Sequence, residues 1–149
     1  MMWELESALR LLVATLVGAA VGLNRDLHGK PTGVRTLGLV GLASALLTLM
    51  VIDAGGGHDA ISRVVQGVVT GIGFLGAGVI LRDPAGQHVH GLTTAAAIWL
   101  TAALGMAVGY GLWWTVASAV VLTFAVLLFG GRLEKRLRAA LKRETGDED

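Results

Sequence analysis

The sequence contains no cysteine, so disulfides, thiolate nucleophiles and cysteine-type zinc sites are excluded. Proline occurs only twice in 149 residues, and aromatic side chains make up 5%. Charge is scarce as well, at 15% of residues, where a soluble domain carries about 25%. Acids stand where a signal peptide needs bases: the chain opens Met1-Met2-Trp3-Glu4-Leu5-Glu6. No cleavable leader is therefore expected, and the first apolar segment should remain in the mature protein. Neither a nucleophile–base pair nor an HExxH motif is visible, so an enzyme is not expected. The net charge of +1 points to no partner by itself, and nucleic acid is not expected as one.

What is present is apolar mass. Hydrophobic residues reach 54%, more than the about 45–50% of soluble proteins, and 22 residues are glycine. Glycine costs a soluble helix about 1 kcal/mol relative to alanine, yet it lets transmembrane helices approach one another closely. The expected fold is all-α: a polytopic membrane protein with lipid as its solvent.

Five apolar segments each approach the ~20 residues that a helix needs to cross a bilayer. They cover residues 5–23, 34–52, 61–81, 92–110 and 112–129. Together they form one transmembrane domain, 1–130, followed by a tail, 131–149. Connections are short, and Gly109-Tyr110-Gly111 leaves almost no loop, so the last two helices should form a tight hairpin. Cytoplasmic loops carry the excess of lysine and arginine. Arg25, Lys30, Arg35, Arg82, Arg132, Lys135, Arg136, Arg138, Lys142 and Arg143 fall on one side after five crossings, ten of the twelve basic residues. That side is the cytoplasm, which puts the N-terminus outside and the C-terminus inside. Arg10 and Arg63 sit at the outer ends, where Glu6 and Asp59 stand four residues earlier as ion-pair candidates. In the tail, Leu133, Leu137 and Leu141 recur every four residues among bases. A short helix on the inner membrane surface and a continuation of the fifth helix both fit; the acidic end, residues 146–149, is expected to be disordered.

An internal echo is present. Thr36 follows Arg25-Asp26 by eleven residues, as Thr93 follows Arg82-Asp83. Two hairpins of one orientation would make a parallel repeat.

Gly71-Ile72-Gly73-Phe74-Leu75-Gly76 spells GxGxxG, but it lies inside an apolar helix rather than between a strand and a helix, so a dinucleotide site is rejected. Gly67, Gly71 and Gly78 share one stretch of the helix surface, and Gly73 and Gly76 thin the rest. Such a helix is expected to touch several neighbours at backbone distance; local unwinding that bares carbonyls to a solute is the sharper alternative. Gly18/Gly22 and Gly105/Gly109 are further small-residue pairs, suited to contacts within the chain or between subunits.

Asn24, Arg25, Asp26, Lys30, Arg35 and Thr36 make a dense polar cluster at the inner face, and Arg82 and Asp83 lie in the third connection on the same side. Charges at that depth are usually paired, and a network of Asp26 with Arg25, Arg35 and Arg82 is expected. Asp26 is the best candidate for a metal ligand. Thr93 and Thr94 are candidate N-caps of the fourth helix. Arg63, Gln66 and Thr70 stripe one face of the third helix, either bonding to neighbouring helices or lining a polar path. His88 and His90 are a weak metal pair, and Trp99, Trp113 and Trp114 suit interface anchors or packing.

Gly22-Leu23-Asn24-Arg25-Asp26 with Lys30-Pro31-Thr32-Gly33-Val34-Arg35-Thr36 resembles the first inner-loop signature of the MgtC/SapB family. Gly71-Ile72-Gly73-Phe74-Leu75-Gly76-Ala77-Gly78-Val79-Ile80 resembles its most diagnostic stretch. Gly91-Leu92-Thr93-Thr94-Ala95-Ala96, with Trp99 and Thr101-Ala102, is similar to the third. The resemblance implies a multi-pass protein of the bacterial inner membrane, in a family whose members are linked to magnesium homeostasis, acid stress and survival in host cells. It implies Mg²⁺ as a candidate ligand, and as candidate partners a second copy of the chain or a membrane complex such as the ATP synthase. Larger members append a cytoplasmic ligand-binding-like domain; the sequence stops after a short tail, so sensing through that domain is not expected. Two departures matter. Asn24 is neutral where the family often carries an acid, which puts a two-carboxylate cation site in doubt. Thr93 stands where virulence-associated members carry asparagine, so a role in infection is not implied. The function expected is that of a non-enzymatic membrane protein that regulates a membrane partner; the alternative is a small ion or solute transporter or channel with a path along the third helix.

Overall fold

The computed structural model describes residues 2–82 and 89–144. Its elements run α1 (Met2–Leu27), α2 (Val34–Asp53), α3 (His58–Gly78), β1 (Leu81–Arg82), β2 (Val89–His90), α4 (Leu92–Tyr110) and α5 (Trp113–Glu144). All five helices are long and apolar enough to cross a membrane. By contacts the chain falls into two compact units, Met1–Val116 and Ala117–Asp149.

In the first unit α2 is central, and glycine decides how closely its neighbours approach. A Cβ built on Gly18 of α1 would lie 2.2 Å from Leu37 O, and one on Gly41 would lie 2.4 Å from Ala14 O. On the other side of α2, a Cβ on Gly105 would meet Gly41 O at 2.5 Å, and one on Gly109 would meet Ala45 O at 2.8 Å. Both GxxxG pairs therefore serve contacts inside the chain: α1 and α4 rest on α2 at backbone distance. Ala14, Val21, Leu37, Ala45, Ile98 and Val108 fill the core between them. Buried hydroxyls satisfy themselves locally: Thr48 Oγ1 donates to Ser44 O at 2.9 Å, and Thr101 Oγ1 to Ala97 O at 2.7 Å. Back-bonding of this kind removes the need for a polar partner across the interface.

The ends are built by local rules. α1 closes with Lys30 N donating to Arg25 O and Gly29 N to Asp26 O, both at 3.0 Å. Those are the two bonds of a Schellman cap, and its left-handed residue is Gly29 at φ +62°. α2 and α4 close in the same pattern before Gly56 and Leu112. α1 and α4 run antiparallel, because Arg10 Nη1 near the start of α1 donates to Gly109 O near the end of α4 at 2.8 Å. Arg10 also pairs with Glu6, as the spacing predicts; Arg63 and Asp59 form no such pair.

Boundaries depart from hydropathy in three places. α3 spans 58–78 rather than 61–81, since Gly57 opens it and Asp59 sits in its first turn, while Leu81 and Arg82 pair antiparallel with His90 and Val89. α1 exceeds its apolar stretch at both ends. α5 runs without a break to Glu144, so the basic leucine-spaced segment continues the fifth helix and is not a separate surface helix. Residues 145–149, on which the disordered end was expected, lie outside the described residues.

The internal echo has a structural counterpart. The spacing that carries Arg25 onto Arg82 carries the buried Leu37, Val40, Gly41, Ser44, Ala45 and Thr48 of α2 onto the buried Thr94, Ala97, Ile98, Thr101, Ala102 and Gly105 of α4. The two hairpins thus bury the same face of their second helix.

Candidate functional site

The polar residues of the inner face are placed by the caps just described. The Schellman turn ends α1 so that Arg25 points into the bundle, where it is 4% exposed. Its Nη2 donates to Thr94 Oγ1, a side chain 2% exposed. Arg25 Nε is buried and finds no partner among the described residues. Among the described residues, no carboxylate faces this guanidinium. A hydroxyl is, among the described residues, the side-chain partner of this buried cation, an arrangement that is costly in a low-dielectric medium.

Asp26 points the other way. It is exposed, and its Oδ2 accepts a hydrogen bond from Val34 N, the first residue of α2, at 3.0 Å. A Cβ on Gly33 would lie 1.8 Å from Asp26 Oδ1, so glycine is what admits the carboxylate to the helix end. The expected ion-pair network is corrected on this point. Asp26 pairs with neither Arg25 nor Arg35; it is held by the free N–H of α2. The side chain of Arg82 and all of Asp83 and His88 lie outside the described residues. Asn24 contributes its backbone carbonyl, 2.7 Å from His28 Nδ1. Lys30, Arg35 and Thr36 are exposed. Among the described residues no group of three histidines, cysteines or acids could hold a metal ion.

The capping role expected of Thr93 and Thr94 is also corrected. Gly91 is the N-cap of α4, at φ +92°, and a Cβ there would lie 1.9 Å from Val79 O. The helix begins at Leu92, so both threonines stand past the position whose side chain can cap. Thr93 is exposed, and Thr94 is free to receive Arg25.

α3 departs most from expectation. Cβ atoms built on Gly67, Gly71, Gly73 and Gly78 meet nothing within 4 Å; only the one on Gly76 touches a neighbour, Ala95, at an ordinary 3.6 Å. The glycine face does not pack at backbone distance in this unit. It borders two grooves instead. One, of about 680 Å³, lies between α2 and α3 and includes Gly67, Gly71, Arg35 and Thr36 in its wall. The other, of about 350 Å³, lies between α3 and α4 and includes Gly73, Gly76 and Trp99. Arg63, Gln66 and Thr70 are exposed on α3, with Thr70 Oγ1 bonded to Gln66 O at 2.8 Å. Among the described residues they bond to no neighbouring helix.

The Arg25–Thr94 clasp escaped the sequence reading, which set Arg25 in a network with Asp26. Its signal was there: Thr94 lies one residue past the Thr93 that echoes Thr36, on the buried face of α4.

Comparison with known proteins gives a consistent answer. The model of the MgtC family matches residues 11–136, which include all the residues of the clasp and both grooves. Protein SrpB of Synechococcus elongatus is 46% identical over 147 residues, covering 91% of this chain and 79% of SrpB. A protein of Escherichia coli K12 named putative magnesium transporter YhiD is 40% identical over 142 residues, 89% of this chain and 64% of its own length. Protein MgtC of Salmonella typhimurium LT2 is 38% identical over 114 residues, 76% of this chain and 48% of MgtC. The chain thus spans about half to four fifths of these relatives. No solved structure matches it.

Proposed function

Because the chain belongs to the MgtC family, we propose that it is a non-enzymatic, multi-pass protein of the bacterial inner membrane that serves magnesium and ion homeostasis or acid-stress adaptation by regulating a membrane partner. The observation that carries this reading is the Arg25–Thr94 clasp. It ties the inner end of α1 to the inner end of α4 through a buried cation whose Nε finds no partner among the described residues. Such a group sets the relative placement of two hairpins and responds to any anionic or carbonyl group that a partner brings to the inner face. The cytoplasmic side follows from the basic residues gathered at that end. A complex of the ATP synthase kind is the class of partner that the family suggests, and Mg²⁺ acts as a signal in growth rather than as a resident cofactor. Bare glycines on α3 favour self-association as well.

The test is growth at low magnesium in cells that depend on this chain. Arg25→Gln is expected to abolish rescue while the protein still reaches the membrane. Full rescue at normal membrane levels would remove the clasp from the functional site.

The name of the YhiD relative favours a second reading, transport. Under it, Arg63, Gln66 and Thr70 line a path formed between copies, since they lie exposed on α3. Purified protein in liposomes distinguishes the two: absence of Mg²⁺-dependent flux supports regulation, and flux that stops in Gln66→Leu supports transport.

A further inference from the structure

The groove between α2 and α3 has a shape that matches one leaflet of a bilayer. Along α2 its wall runs from Arg35 and Thr36 to Leu47. The eleven steps from Thr36 to Leu47 rise about 16 Å at about 1.5 Å per residue, close to half of a hydrocarbon core about 30 Å thick. The polar groups stand at one end. Arg35 is exposed there, and neither an ion pair nor a hydrogen bond engages its guanidinium among the described residues. Beyond Thr36 the wall is mostly apolar: Leu39, Val40, Ala43, Leu47 and Ile72 line it. On α3 the wall is formed by Val68, Ile72 and Leu75 together with Gly67 and Gly71, one turn apart, whose Cβ positions nothing approaches within 4 Å.

We propose that this groove holds one phospholipid with an anionic headgroup, its phosphate against Arg35 and Thr36 and one acyl chain lying along α2 toward Leu47. Three observations converge on that occupant. The groove is one acyl layer deep. Arg35, the one cation among the described residues of its wall, stands at headgroup level, where an arginine attracts anionic lipid. Its volume of about 680 Å³ is bounded by aliphatic side chains of both helices, with Gly67 and Gly71 widening the α3 side, the lining that a flexible chain fills and a polar solute does not. A seated lipid would hold α3 against α2, where the two helices otherwise leave a gap. The inference rests on the membrane placement of the helices but not on the regulatory reading, since it concerns neither the clasp nor growth.

The experiment is native mass spectrometry of the full chain released from nanodiscs of mixed phosphatidylglycerol and phosphatidylcholine. One phosphatidylglycerol should remain bound per chain in preference to phosphatidylcholine. Arg35→Gln, an exposed substitution that leaves the fold intact, should lower that preference about fivefold, the factor that one interfacial arginine supplies. Gly71→Leu fills the groove without meeting backbone and should remove the retained lipid of both kinds. The proposal is overturned if the wild-type chain retains no lipid, if Arg35→Gln keeps the same preference, or if Gly71→Leu retains as much lipid as the wild type. A lipid-free dimer whose dissociation follows Gly71→Leu would assign the groove to a second copy instead.

Discussion

Arg25 Nη2, in the last turn of α1, donates to Thr94 Oγ1 in the first turn of α4, sixty-nine residues further along the chain. Both side chains are buried, and Arg25 Nε has no partner among the described residues. Replacing Thr94 by valine keeps the shape and deletes the acceptor. Hydrogen bonds to a charged group are worth about 1.5–3 kcal/mol, and a buried donor left unpaired adds its desolvation cost. Thr94→Val should therefore lower unfolding free energy in mixed micelles by about 2 kcal/mol, while Thr94→Ser, which keeps the hydroxyl, should stay near wild type. Equal stability of the valine and serine variants would show that the hydroxyl contributes nothing.

A second expectation separates glycines that are needed from glycines that are not. Alanine at Gly18, Gly41 or Gly105 would place a methyl 2.2–2.5 Å from a backbone oxygen of the next helix. Backbone cannot swing aside as a flexible side chain can, so each change should cost about 1–3 kcal/mol by overpacking. Alanine at Gly73 or Gly78 meets nothing within 4 Å and should be neutral, or stabilising by up to about 1 kcal/mol through helix propensity. Denaturation of the five variants side by side in one detergent checks this. A loss at Gly73 as large as that at Gly41 would mean that α3 packs against a body that the first unit does not contain.

That contrast also marks how far the sequence is legible. The five apolar runs, the tight turn at Gly109-Tyr110-Gly111 and the two GxxxG contacts could be read from residue type and spacing, because each is a local rule acting on neighbouring residues. Gly67, Gly71, Gly73 and Gly78 could not. A glycine stripe signals that close approach is allowed, and whether a neighbour uses it depends on where the other helices go. Asp26 illustrates the same limit. Its charge suggested Arg25 or Arg35 as partner, yet the donor it accepts from is the N–H of Val34, brought there by a turn that includes Gly29 and Gly33. The end of α3 was misplaced for a related reason: Ile80 and Leu81 continue the apolar run after the helix has stopped.

Asp26 allows a capping role to be told apart from metal binding. As a cap it needs only an oxygen to accept from Val34 N. Asparagine supplies one and alanine does not. Asp26→Ala should cost about 1 kcal/mol, the usual worth of a cap, and Asp26→Asn much less; rescue of growth at low magnesium should follow the same order. A cation ligand would behave otherwise, because the neutral amide would fail as badly as alanine. Thermal unfolding and growth measured on both variants decide between the two.

The polar stripe on α3 gives the last test. Arg63, Gln66 and Thr70 are exposed in the first unit, and the hydroxyl of Thr70 is already satisfied by Gln66 O. A glutamine side chain left facing hydrocarbon is unfavourable, so Gln66→Leu should leave the protein as stable as before, or more so. Under regulation through the inner face the same variant should also rescue growth fully, since the clasp lies at the far end of the helices. Under transport between copies it should reach the membrane in normal amount and fail to rescue. Membrane abundance and growth of Gln66→Leu, set beside Arg25→Gln in the same cells, therefore place the working surface either at the inner ends of α1 and α4 or along α3. Failure of Gln66→Leu with success of Arg25→Gln would reverse the assignment made here.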